Sequence, residues 1–233
     1  MSRLRRFAGV VFRPAQTFRS LTDRPVWLDA LVVVLAAGAV TSYLVFPFVR
    51  QERLRTFENS AAEFIERYGQ QQYADAVARL EGGSRALDSF VVRPLVSLTS
   101  FLFTSLIALG AGRALTRRGH YVQVFSCFLH AGLVAAVLGN AVQLALLRSR
   151  GSLLQASTGL AAFFPELPSG SAAYAALRQV DFFTLWMYGL FGLGLASAFK
   201  FSIGKGLAIS YALWFLGGLA GFASAVVGKG FFL

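Results

Sequence analysis

The chain has 233 residues, of which 56% are hydrophobic and only 14% charged, with a mean hydropathy of +0.59. A soluble domain needs roughly 25% charged residues to cover its surface, so this composition excludes an ordinary water-soluble fold. The net charge of +11 does not indicate a nucleic-acid binder, because several runs here are apolar over about 20 residues.

The chain opens on a basic arm, residues 1–27, in which arginines alternate with phenylalanines between Arg13-Pro14 and Arg24-Pro25. The early apolar stretch is too short for the core of a secretory signal and is followed by Arg13-Pro14, so the next run reads as a retained anchor. Pro14 suits the first turn of a helix, where an amide hydrogen would have no partner. The spacing predicts a short interfacial helix with Phe18 and Leu21 on one side. Arg13, Arg19 and Arg24 are then available to anionic lipid headgroups or to a partner, and Trp27 sits at the depth of interfacial aromatics.

Five spans follow, at about 28–49, 95–115, 125–147, 182–201 and 207–227, and in lipid each must be a helix. The fold class is therefore all-α, a polytopic bundle of five transmembrane helices occupying residues 28–233. Between the first two spans, residues 50–89 carry Leu54, Phe57, Ala61, Phe64, Ile65 and Tyr68 at helical spacing, broken at Gly82-Gly83-Ser84. They predict one or two amphipathic helices lying over the bundle on the extracytoplasmic side. In the linker at 148–180, "SLLQASTGLAAFFP" is too short to span and too apolar for a solvated loop, so it is expected at the interface or as a re-entrant piece, ended by Pro165 and Pro168. "SAAYAALRQV" then forms a short helix, and Asp181 caps the fourth span. Basic residues are equally numerous on the two sides of the bundle. Their density on short segments puts the N-terminus inside, and an odd number of spans puts the C-terminus outside.

Intramembrane polar side chains are the candidate functional residues, because hydrocarbon makes them costly. The set is His130, Asn140 and Gln143 in the third span, with Asp181 at the fourth. Gln123, Cys127 and His130 fall near one helical face, and Asn140 is rotated about 80° from His130. Two readings stand: interhelical hydrogen bonding, or a solute or proton path. His120 and His130 are too far apart on one helix to share a metal, and Cys127 is the single cysteine, so no metal site and no cofactor are expected. No catalytic Ser-His-Asp set, HExxH or phosphate loop occurs, so no enzyme is expected. Small residues recur at i, i+4 in Gly192/Ala196, Gly194/Ala198, Ala131/Ala135/Gly139 and Gly217/Gly221, which predicts close helix packing.

Three stretches, "FRPAQTFRSLTDRPVW", "RRGHYVQVFSCFLHAG" and "DFFTLWMYGLFGLGLA", occur in an order that resembles the bacterial branch of the Yip family, membrane proteins named for interaction with Ypt/Rab GTPases. The resemblance implies five spans, a cytoplasmic N-terminus, an outward C-terminus, a bacterial inner membrane and no known catalytic role. A proline often seen early in the family's third span is absent from "AGLVAAVLG", and the insert after the first span is longer than a minimal member needs. The function expected is a scaffold or adaptor that engages anionic lipid at the arm and a protein partner of unidentified type, with a homo-oligomer an open alternative. A small-solute or ion transporter using the third span is the competing reading.

Overall fold

The computed structural model describes residues 3–151, 156–164, 166–168 and 171–230. Pro165 and the side chain of Lys229 lie outside the described residues. The arm forms two helices, α1 (Arg3–Phe12) and α2 (Pro14–Asp23), with Pro14 in the first turn of α2. Here the structure departs from a helix laid on lipid. Phe18 and Leu21 are fully buried, and α2 packs against the third and fourth spans. An amphipathic face can be covered by lipid or by protein, and sequence spacing does not distinguish the two.

Five helices are long and apolar enough to cross a membrane. The first, α3 (Leu28–Glu58), has 31 residues and rises about 46 Å, well beyond a hydrocarbon core of about 30 Å. It passes the expected exit near residue 49 without interruption and carries Pro47 within it. The insert therefore begins as an extension of the first span. α4 (Ala61–Tyr68) and α5 (Gln70–Glu81) fold back along that extension, turning at Gly69, whose φ of 86° favours glycine. Neither helix has a fully buried residue. Aromatic contacts hold the hairpin, with Phe57 stacked on Tyr73 at 5.2 Å and edge-on to Phe64 at 5.0 Å.

The second span joins α6 (Arg85–Leu87), capped by Ser84, to α7 (Arg93–Leu115) through a π-helical turn at Asp88–Val92. Pro94 supplies the cause. It lacks an amide hydrogen and its ring crowds the carbonyl four residues back, so the preceding turn widens. The third span runs from α8 (Tyr121–Leu133) through a second π turn (Val134–Gly139) into α9 (Asn140–Arg150). This helix is distorted without a proline. It is also the centre of the bundle: 61% of its most apolar window is buried inside the protein, against 17%, 22% and 11% for the first, second and fifth spans. The other helices therefore present most of their apolar surface outward, where lipid covers it.

In the linker, a 3₁₀ turn (Leu160–Phe163) precedes α10 (Ala172–Arg178), which Ser171 caps. The fourth span, α11 (Phe182–Phe199), stops at Lys200, which adopts a left-handed conformation with φ 58°. The fifth, α12 (Ile203–Gly230), begins directly after, so these two spans form a tight helical hairpin.

Candidate functional site

Polar groups at the junction of arm and bundle are tied to one another across three elements. Asp29, in the first turn of α3, pairs with Arg6 of α1, and both side chains are nearly buried. Its second oxygen accepts the Ala30 amide at 3.0 Å. From α8, Gln123 donates to the Thr22 carbonyl at 2.7 Å and Ser126 donates to the Val26 carbonyl at 2.7 Å. These two bonds fasten the last turn of α2, through Thr22, and the link to α3, through Val26, onto α8. Gln123 also accepts the His120 amide at 2.9 Å, closing a capping box.

His130 lies one turn further along. Its Nδ1 is 2.9 Å from the Ser126 carbonyl, an acceptor, so this nitrogen donates. The ring is fully buried, tilted against Phe7 at 6.2 Å, and its Nε2 has no hydrogen-bond partner among the described residues. Cys127 is buried on the same helix, where Gly194 of α11 and Phe18 of α2 converge: a Cβ on Gly194 would sit 2.6 Å from the Cys127 Cβ and 3.2 Å from Phe18. Glycine is the residue that lets α2, α8 and α11 meet there.

The remaining candidates lie elsewhere. Asp181 caps α11, accepting the Thr184 amide at 2.8 Å on one oxygen and the Thr158 hydroxyl on the other. Its backbone also forms an isolated bridge with Gly159, so carboxylate and backbone together pin the linker to the fourth span. Asn140 and Gln143 line a groove of about 660 Å³ between α3, α5, the second span and α9. His130 and Asp181 do not line the groove that takes in Asn140 and Gln143, so the four candidates do not share one site among the described residues. Among the described residues, no three His, Cys, Asp or Glu side chains gather as metal donors.

The arm arginines Arg13, Arg19 and Arg24 are exposed, as is Trp27, whose ring packs on Phe125 at 5.8 Å. Among the small residues, Gly192 and Ala196 face Gly206 of α12. A Cβ on Gly206 would collide with the Gly192 carbonyl and lie 2.9 Å from the Ala196 nitrogen. Gly217 faces open space, and a Cβ on Gly221 would lie 2.9 Å from the Gln179 side chain instead of against another span. The close approach in the fifth span is thus made by Gly206, which lies outside the Gly217/Gly221 repeat. It stands four residues before Ser210, which is itself buried and donates to the Tyr188 carbonyl at 2.5 Å. Gly206 and Ser210 form the small-xxx-small pair that marks this approach in the sequence.

A family model, the Yip1 domain, matches residues 8–225. The chain belongs to the Yip1 domain family. With five membrane-length helices, it is an integral membrane protein of the Yip type. The match begins within α1 and ends within α12, so the Yip1 domain includes most of the arm as well as the five spans. No curated protein and no solved structure matches the chain.

Proposed function

We propose that this Yip1-domain protein acts as a non-enzymatic scaffold or adaptor in a bacterial inner membrane, presenting its basic arm on the cytoplasmic side. The observation that carries this reading is the mounting of the arm. Phe18 and Leu21 are buried against α8 and α11, while Arg13, Arg19 and Arg24 are exposed on the same segment. A docked arm keeps its guanidinium groups in a fixed arrangement, so a partner or an anionic headgroup meets a preorganised surface. The cytoplasmic assignment rests on the density of basic residues in the arm and the short loops of that side.

Because α2 is part of the packed core, deleting the arm would test stability and not recognition. The appropriate variant of the full chain is Arg13→Glu/Arg19→Glu/Arg24→Glu. Crosslinking in membranes followed by affinity purification is expected to recover a protein or anionic lipid from the wild type and lose it from the triple variant. Recovery of the same set from both would overturn the scaffold reading.

A further inference from the structure

The groove that takes in Asn140 and Gln143 is graded from charge to hydrocarbon. At one end stand Arg50 and Arg53 of α3, Arg79 of α5 and Arg93 of the second span, with Asp88 as the lining carboxylate. Arg93 pairs with Asp88 at 3.4 Å, while Arg50, Arg53 and Arg79 are exposed and take no ion pair among the described residues. Toward the start of α3 the lining turns to uncharged polar and then apolar side chains, Ser42 with Asn140 and Gln143, then Val34 and Leu35 with Phe101 and Met187. From Val34 to Arg53 the groove follows α3 for about 28 Å, more than the depth of one leaflet's hydrocarbon.

Both π turns border this groove, through Asp88 and Val92 on one side and Ala135 and Ala136 on the other. π turns inside helices concentrate at functional sites because they re-aim side chains at a stability cost. Just outside the lining, Arg85 ties the start of the second span to α3: it donates to the Tyr43 carbonyl at 2.6 Å and stacks 3.7 Å over the Tyr43 ring. The groove's volume falls within the roughly 300 to 1,000 Å³ typical of ligand sites.

We propose that this groove holds one anionic phospholipid, its phosphate against Arg50, Arg53 and Arg79 and an acyl chain along the apolar end. Charge complementarity selects the occupant. Unpaired guanidinium groups match phosphate oxygens, which accept their hydrogen bonds and balance their charge, and a purely apolar segment would leave them unmatched. The site lies at the opposite end of α3 from the arm, so it does not depend on the scaffold reading.

The test is native mass spectrometry of the full chain in a non-ionic detergent, titrated separately with phosphatidylglycerol, phosphatidylcholine and inorganic phosphate. Two variants accompany it. Arg50→Gln/Arg53→Gln/Arg79→Gln removes the charges from exposed positions. Gly38→Phe puts a ring into the groove, where a Cβ on Gly38 would meet nothing within 4 Å. The wild type is expected to retain one phosphatidylglycerol in preference to phosphatidylcholine, with no competition from phosphate. The triple variant should bind it on the order of a hundredfold more weakly, and Gly38→Phe at least about tenfold more weakly, since chain burial is lost. Equal retention of the two lipids, displacement by phosphate alone, or unchanged retention by Gly38→Phe would each overturn the proposal. Should the triple variant melt early, Gly38→Phe decides by itself.

Discussion

Gly206 and Gly217 occupy the same helix and differ in what surrounds them. At Gly206 a side chain would meet the backbone of α11, and backbone cannot rotate away as a side-chain tip can. Gly206→Val is therefore expected to destabilise the α11–α12 hairpin by about 1 to 3 kcal/mol or more. Gly217→Ala, facing open space, is expected to be neutral or to gain up to about 1 kcal/mol from helix propensity. Thermal unfolding in detergent distinguishes them, and a larger loss from the Gly217 substitution would contradict the packing described. The Arg6–Asp29 pair makes a second residue-scale case. Asp29→Asn leaves a nearly buried guanidinium without its countercharge, which costs about 3 to 5 kcal/mol. Replacing both with leucine is expected to be close to neutral. Limited trypsin digestion reads the difference: Arg13 and Arg24 precede proline and resist cleavage, so loosening of α2 is read at the Arg19–Ser20 bond, which is cut faster in the single variant alone.

Among the elements, α2 shows how the same pattern serves two environments. Its apolar face and Pro14 start were legible from spacing, but its neighbours were not. A surface anchor would tolerate Phe18→Ala with a modest change in membrane affinity. A core element would not: with Phe18 fully buried between α8 and α11, the substitution is expected to cost about 3 to 5 kcal/mol of stability. A lowered melting temperature would accord with the packed arrangement, and an unchanged one would return α2 to the lipid surface. The third span makes a related point. Its π turn at Val134–Gly139 occurs in "VAAVLG", which contains no proline and reads as ordinary helix. The packing of Gly139 against Phe183, with a Cβ position 3.1 Å from the neighbouring side chain, comes from α11 and is invisible to local propensity.

At the scale of the molecule, we propose that the five spans put the N-terminus in the cytoplasm and the C-terminus on the opposite side. Reporter fusions active only in the cytoplasm are expected to work at the N-terminus and fail at the C-terminus, and identical behaviour at both ends would exclude a five-span path. The bundle is organised around α8, the most enclosed helix, with the arm docked at one end and the arginine-rimmed groove at the other. That separation gives the protein two polar surfaces in different leaflets, and changes at one are expected to leave the other intact.

Residue types and spacing alone fixed the five spans, the cap at Asp181, the break at Gly82-Gly83-Ser84 and the start at Pro14. All of these depend on backbone hydrogen bonds closed within a few residues, and local sequence specifies those. Tertiary structure decided which polar groups share a site. Asn140 and Gln143 line one groove with arginines from residues 50 to 93, His130 sits instead against α1, and Gly206 makes the close contact that Gly217 does not. Lipid tails and leucine side chains are equally apolar, so a helix in a membrane gains little from choosing protein over lipid by hydrophobicity. Shape and hydrogen bonding choose the neighbour, and these exist only once the helices have met.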